Sequence, residues 1–511
     1  MLALALLASP GSTRAQTSDS DAPHDASSTD ASSADASSAD ASSADASSTD
    51  ASSTDASSTD ASSTDASSTD ASSTDASSTD ASSTDASSTD AVLTPPPFAP
   101  ASSTLIAPTP TPPAPTPTPP IAPTPPAPTL TYEQGRGFTV RFGDTFSANL
   151  QSRIQLRSSF AVYGDDGDAS TAVPGPTNET QVRTARLWLR GNVLEPNIRY
   201  AIQLALGAND FEAGNSSPIF DAYLELTHLR DLNVRVGQFF VPFDRARTIR
   251  EFALQSVDRA QLIRELTLDR DVGVVLQSQD LFGEGGRFGY HVGLFAGDGR
   301  NRFGAHPLGF LYVARLFVRP FGTFDDDQEG DLTRQPTARL MIGGAIAYNQ
   351  STDRPSSTTG TPLAFGTFDY LHAAGDLVFK YAGFYFLGEV LYRQSTSGRS
   401  LTRTNPMTME DETVWSRDGW GLLAQTSYNV GPVLDLAQLE VWARYEQMEA
   451  IGPTDPRLVT TVQTRGRGLG AGVNLYFNNH ALKVQLDWAH WFASTVGPGE
   501  HLVRLQLDAS F

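Results

Sequence analysis

The sequence predicts an all-β protein: a transmembrane antiparallel β-barrel of about 16 strands, preceded by a disordered N-terminal extension. Three observations predict this fold. Stretches that alternate between apolar and polar residues recur from about Phe138 to the end of the chain, as strands with two unlike faces do. The connections between these stretches alternate between short and long. One face of nearly every stretch lacks charge, which suits contact with lipid.

The N-terminal quarter of the chain differs from the rest in composition. Residues 1–15 combine a short apolar stretch with a small-residue cleavage site and are typical of a secretory signal peptide. Residues 16–93 consist mainly of ASSTD and ASSAD pentads, which offer no apolar face and predict disorder. Residues 94–130 are rich in proline and favour an extended linker. The barrel domain is therefore predicted to span residues 131–511.

Charge and cysteine content narrow the possible functions. The net charge is -22, but sixteen aspartates and one arginine in the first 130 residues account for most of it. The chain has no cysteine, which excludes disulfides and thiolate chemistry. The basic residues of the remainder are nearly all arginines, whose charge does not depend on physiological pH.

Sixteen alternating stretches are interpreted as strands. They lie near residues 147–163, 181–193, 197–209, 218–229, 231–240, 271–280, 286–297, 308–320, 335–349, 366–381, 381–394, 417–431, 436–449, 464–478, 480–493 and 500–511. Long connections fall at 164–180, 241–270, 350–365, 395–416 and 450–463, and turns of a few residues alternate with them. One connection breaks the pattern, because Phe321–Leu332 is long for the end of the barrel that carries short turns.

The last stretch, HLVRLQLDASF, shows the two faces clearly. Val503, Leu505 and Leu507 share one parity with Phe511, whereas Arg504 lies on the other. An edge strand of a soluble sandwich would show the same local pattern. In a closed barrel, however, the last strand pairs with the first, and no edge remains.

The opposite faces of the strands are predicted to line a water-filled lumen with polar or small residues. They carry fifteen basic and eight acidic residues, an excess that favours anions. The candidate lumen residues for solute binding are Arg153, Arg157, Arg186, Arg190, Arg235, Arg315 and Arg319. The alternative for each arginine is an ion pair with a lumen carboxylate that braces the wall.

The connection 241–270 is long enough to fold into the lumen, and apolar residues at helical spacing suggest helical turns. It contributes the constriction candidates Arg245, Arg247, Arg250, Arg259, Arg264 and Arg270. Five carboxylates accompany these six arginines, so the loop is nearly balanced in charge.

Three segments resemble one family. VRTARLWLRGNV (Val182 to Val193), RVGQFFVPF (Arg235 to Phe243) and RDVGV (Arg270 to Val274) are similar to the phosphate-selective porin O/P family. The resemblance implies a trimeric, sixteen-stranded outer-membrane porin whose third loop folds inward and whose arginines guide anions. It also implies that the terminal Phe511 is read by the barrel-assembly machinery. The chain departs from the family in having two lysines, so phosphate itself is not carried over as the solute.

The leading hypothesis is passive diffusion of small hydrophilic solutes, with a preference for anions, across the outer membrane of a Gram-negative bacterium. The expected partners are outer-membrane lipids, small anionic solutes and two further copies of the chain, and the N-terminal tail is expected in the periplasm. No cofactor, metal or nucleic acid is predicted. The alternatives are a barrel enzyme such as a lipase, and a barrel that anchors a periplasmic tether. GRGLGAG (Gly466 to Gly472) is interpreted as a strand rather than a phosphate loop, and the acidic stretches Asp165–Asp168 and Asp325–Glu329 as solvated tips.

Overall fold

The computed structural model describes residues 127–164, 175–207, 210–211, 217–302, 307–433, 435–492 and 499–511. The predicted signal peptide, the pentad repeat, most of the proline-rich stretch and the acidic tip at 165–168 lie outside these ranges.

Strands dominate the described residues. They are β1 (Thr129–Glu133), β2 (Gly137–Phe142), β3 (Phe146–Tyr163), β4 (Thr177–Val193), β5 (Glu195–Ala205), β6 (Ile219–Leu229), β7 (Leu232–Phe240), β8 (Arg270–Ser278), β9 (Phe288–Phe295), β10 (Leu311–Val318), β11 (Arg339–Thr352), β12 (Phe368–Tyr381), β13 (Phe384–Ser395), β14 (Ser400–Thr404), β15 (Asp411–Trp415), β16 (Gly419–Val433), β17 (Ala437–Ala450), β18 (Arg467–Asn478), β19 (Leu482–Trp491) and β20 (Glu500–Ser510). The helices are α1 (Arg245–Thr248), α2 (Gln261–Leu266) and α3 (Pro456–Arg465), with 3₁₀ turns at Glu251–Ala253 and Leu281–Gly283.

Sixteen of these strands form a closed antiparallel barrel. Each strand from β3 to β20 pairs with the next, except that the separate hairpin β14–β15 is left out and β13 pairs with β16. The barrel closes where β20 pairs with β3, from Glu500 opposite Tyr163 to Ser510 opposite Arg153. The terminal residue continues this pairing, since the Phe511 backbone N–H donates to the Ser152 carbonyl at 3.0 Å. The predicted fold class and the count of sixteen strands are confirmed.

A hairpin of β1 and β2 precedes the barrel and was not predicted. β2 pairs with the first residues of β3, from Phe138 opposite Leu150 to Phe142 opposite Phe146. The predicted domain start at 131 therefore falls within β1, and the barrel itself begins at Phe146.

The outer face of the barrel is apolar. Side chains predicted to meet lipid are exposed there, including Leu224, Val292, Leu316, Val441 and Leu505. An arginine or lysine at the centre of such a face would cost about 2–4 kcal/mol in a bilayer, which explains the absence of charge from this parity. None of the helices among the described residues has the length and apolar character needed to cross a bilayer.

The two ends of the barrel differ. The long connections, with α1, α2, α3 and the β14–β15 hairpin, lie at one end, which we call the loop end. The opposite turn end carries brief turns, both ends of the described chain and one long connection at residues 319–338. GRGLGAG lies mostly in β18 and forms a strand, as predicted.

The inner face is not uniformly polar, and this prediction is wrong for one side of the barrel. Leu387, Leu391 and Leu423 point inward and pack in an apolar cluster with Leu262 and Ile263 of α2. Burying a leucine or isoleucine of this kind contributes about 1.5–3 kcal/mol. The inward loop is therefore held against β13 and β16 by hydrophobic packing, and the open part of the lumen lies towards β3–β7.

Candidate functional site

The connection between β7 and β8, residues 241–269, lies inside the barrel; we call it the constriction loop. Wall residues bind its backbone directly. The Glu389 carboxylate accepts from the backbone N–H groups of Arg245 and Ala246 at 3.1 and 2.8 Å. The Lys483 ammonium donates to the carbonyls of Phe252 and Leu254 at 2.8 and 2.6 Å. These bonds satisfy backbone groups that the irregular loop would otherwise bury without partners.

Two cavities remain within the lumen. The loop-side cavity has a volume of about 490 Å³ and reaches residues 359–361 at the loop end. The turn-side cavity is larger, about 1300 Å³, and reaches residues 478–481 and the β1–β2 hairpin. Both lie mainly against β3–β7, beside the constriction loop.

The two cavities adjoin at a narrow zone that we call the constriction. Six residues line both cavities: Gln151, Trp188, Phe240, Arg250, Phe252 and Ser510. Three of them come from the barrel wall at β3, β4 and β20, and two come from the constriction loop. A solute that crosses the barrel between these cavities passes this ring.

An arginine stack occupies the constriction. The Arg250 guanidinium carbon lies 3.7 Å from the Trp188 ring centroid, and that of Arg190 lies 4.4 Å from it. Such cation–π contacts hold a guanidinium against a ring without neutralising its charge. Trp188 is buried and shares the inward parity of Arg186 and Arg190, so the strand pattern could have placed it in the lumen.

Arginines outnumber carboxylates around both cavities. Ten arginines and four carboxylates line the loop-side cavity, and eight arginines and four carboxylates line the turn-side cavity. Sequence reasoning did not select Arg183, Arg300 or Arg354, which also line the loop-side cavity. Arg183 shares the inward parity of β4, whereas Arg300 and Arg354 belong to loops whose direction the strand pattern does not determine.

Most of the predicted arginines are held by carboxylates. The pairs are Arg153 with Asp508, Arg157 with Asp258, Arg186 with Asp210 and Glu251, Arg235 with Glu225, Arg245 with Asp326 and Asp327, Arg247 with Asp269, Arg270 with Asp221 and Asp269, Arg315 with Asp376, and Arg319 with Asp326. Arg315 and Arg319 are only 5 % and 4 % exposed, so their charges are spent within the wall.

Four predicted arginines have no carboxylate within ion-pair distance among the described residues: Arg190, Arg250, Arg259 and Arg264. Arg259 donates instead to loop carbonyls, including that of Ala246 at 3.1 Å, and so stiffens the loop. Arg190 donates to the Asn149 amide oxygen at 3.1 Å. Arg250 and Arg264 line the loop-side cavity and present their charges to it.

The loop carboxylates stay ionised at low pH. Burial raises the pKa of Glu251, but nearby guanidiniums, led by that of Arg186, outweigh it and hold this pKa well below its usual range. The pKa of Asp258 is lowered in the same way, chiefly by Arg157. Burial, followed by neighbouring positive charge, lowers the pKa of Arg259 to about 10, which leaves it charged at neutral pH. The charge pattern of the loop is therefore insensitive to pH between about 4.5 and 8.

No group of three or more His, Cys, Asp or Glu side chains among the described residues is arranged to hold a metal ion. The acidic stretch Asp325–Glu329, predicted to be a solvated tip, instead enters the lumen with Asp326 and Glu329 buried. That prediction is wrong, because these carboxylates bind Arg319 and the Gln255 backbone N–H.

Fold and site together define a closed sixteen-stranded barrel whose lumen is narrowed by an inward loop and lined by arginines. No family model matches the chain. No curated protein matches it either.

Several solved outer-membrane proteins are similar to the chain. The outer membrane channel DcaP of Acinetobacter baumannii is 14% identical with a TM-score of 0.44, covering 72% of this chain and 98% of that one. The anion-selective porin from Comamonas acidovorans is 12% identical with a TM-score of 0.45, covering 72% and 100%. OmpF of Salmonella typhi, solved with daunomycin, is 11% identical with a TM-score of 0.43, covering 75% and 100%. Similarity at this level does not extend the function of those proteins to this chain.

Proposed function

We propose that this chain is an outer-membrane porin through which small hydrophilic solutes diffuse passively, with a preference for anions and no chemical step. The observation that carries the proposal is the arginine lining of the two cavities, ten arginines to four carboxylates in the smaller one. Fixed positive charge in a narrow lumen raises the local concentration of anions and lowers that of cations.

The membrane placement rests on the outer surface. Exposed apolar side chains cover the barrel wall, as hydrocarbon requires of a closed strand barrel. We propose that the turn end faces the periplasm, because short turns lie there in bacterial outer-membrane barrels. The N-terminal extension then extends from the β1–β2 hairpin into the periplasm, in the outer envelope of a Gram-negative cell.

Two assembly properties belong to the same proposal. The terminal Phe511 is exposed at the turn end, where the barrel-assembly machinery could read it. The resemblance to the phosphate-selective porin O/P family supports a homotrimer, which light scattering of the protein in detergent would test.

Conductance in a planar lipid bilayer tests the proposal directly. Refolded protein is expected to give discrete current steps, and in a potassium chloride gradient the reversal potential should lie nearer the chloride equilibrium potential. Replacing chloride by phosphate measures preference among anions. Absence of discrete steps from correctly folded barrels would contradict the porin function, and a preference for potassium would contradict the role of the arginines.

A further inference from the structure

The long connection at the turn end, residues 319–338, has no place in the function described so far. It joins β10 to β11 and enters the barrel from the end opposite to the constriction loop. Asp326, Glu329 and Asp331 within it are buried at 1–4 % exposure. A surface turn would leave these carboxylates in water, so the segment fills part of the lumen.

The barrel wall holds this segment firmly. The Lys380 ammonium donates to the carbonyls of Asp325 and Gln328, both at 2.8 Å. The Asp331 carboxylate accepts from the Gly383 backbone N–H and from the Arg339 guanidinium, both at 2.8 Å. Because its anchors lie on β11, β12 and the turn after β12, the segment moves only with that part of the wall.

The same segment contacts the constriction loop. The Glu329 backbone N–H donates to the Ala253 carbonyl at 2.9 Å, and the Glu329 carboxylate accepts from the Gln255 backbone N–H at 2.7 Å. A second contact joins the Arg245 guanidinium to Asp326 at 3.1 Å and to Asp327 at 2.5 Å. The loop is thus fixed from the turn end as well as from the wall.

The Glu329 bonds are made on either side of the residues that matter most for passage. Ala253 directly follows Phe252, a member of the constriction ring, and Arg250 lies three residues before Ala253. Loop residues 250–255 carry no regular helix or strand beyond one 3₁₀ turn, so their position depends on these external bonds.

We propose that residues 319–338 form a buttress that sets the position of the constriction loop and hence the width of the constriction. Glu329 is its positioning residue, acting through the backbone of Ala253 and Gln255 rather than on the solute. The coupling between the two segments stands independently of transport; its effect on passage rests on the proposed porin function.

Hydrogen exchange of the full chain in detergent micelles tests the coupling. Glu329→Ala removes the acceptor of the Gln255 N–H, and exchange across residues 250–257 is expected to accelerate roughly tenfold. Glu329→Gln retains an acceptor oxygen and should stay within about twofold of the parent protein. Thr323→Ala is the matched control, because its hydroxyl lies in the same segment but binds the Gly285 carbonyl at 2.9 Å.

Asp327→Ala provides a second variant that the barrel should tolerate, since its carboxylate is 80% exposed. It removes one of the Arg245 ion pairs and should accelerate exchange near Arg245 by a smaller factor. Unchanged exchange in both Glu329→Ala and Asp327→Ala would overturn the buttress. Equal acceleration in Glu329→Gln and Glu329→Ala would overturn the hydrogen-bond mechanism.

Swelling of proteoliposomes in neutral sugars of graded size tests the transport consequence. Glu329→Ala should admit larger sugars than the parent protein, whereas Glu329→Gln and Thr323→Ala should not. An unchanged size limit despite faster exchange would overturn control of the width. No swelling with any variant, including the parent, would overturn the porin function, and the exchange results would still decide the buttress.

Discussion

Replacing Arg250 by alanine is expected to lower anion preference more than any change in the paired lumen arginines. Arg250 lines both cavities, rests 3.7 Å from the Trp188 ring centroid, and has no carboxylate within ion-pair distance among the described residues. An ion that passes about 4 Å from its guanidinium in water gains or loses about 1 kcal/mol. This corresponds to a roughly fivefold fall in local anion occupancy when the charge is removed.

The assay is the permeability ratio of chloride to potassium, obtained from reversal potentials in planar bilayers at about 0.1 M salt, where the Debye length is about 10 Å. The ratio should fall roughly fivefold, while single-channel conductance should not fall, because alanine leaves a wider constriction. Arg467→Ala is the matched control, since this arginine is 60% exposed and pairs with Glu449 at 2.8 Å. An unchanged ratio in Arg250→Ala, or an equal fall in Arg467→Ala, would refute the reasoning.

Two further predictions concern paired groups. Arg315→Ala leaves Asp376 buried without its 2.6 Å partner and should destabilise the barrel by about 3–5 kcal/mol, measured by urea unfolding in detergent. A stable barrel with a large loss of anion preference would instead place Arg315 in the pore. Glu251→Gln removes a carboxylate that is ionised at both pH 7 and pH 4.5, because its pKa lies well below the usual value of 4.5. It should therefore raise anion preference by the same factor at both pH values; a half-sized effect at pH 4.5 would mean an ordinary pKa.

Much of the fold was predictable from local pattern. Period-two alternation identified sixteen strands and the outward parity of residues such as Leu505 and Val292, because lipid excludes charge from one face of every strand. The length of the 241–270 connection and its arginines predicted an inward loop, and its helical turns agree with the apolar spacing. Trp188 could have been found by the same rule, since it alternates with Arg186 and Arg190 on β4.

Other features depend on residues that are distant in sequence. β13 is apolar on both faces, so its pattern could not show that Leu387 and Leu391 pack inward against the constriction loop. The length of the 319–338 connection was visible as an anomaly, but its direction was not. It enters the lumen because Lys380 and Arg339 bind groups along its chain, and neither is its close neighbour on the strand pattern.

The division between the two sources of information is clearest for the arginines. The sequence by itself determined which of them face the lumen, because parity along a strand is a local property. Only the tertiary structure decided which charges remain available, because pairing depends on register across the closed barrel. Arg153 meets Asp508 from a position 355 residues away, whereas Arg250 meets a tryptophan ring and keeps its charge for the pore.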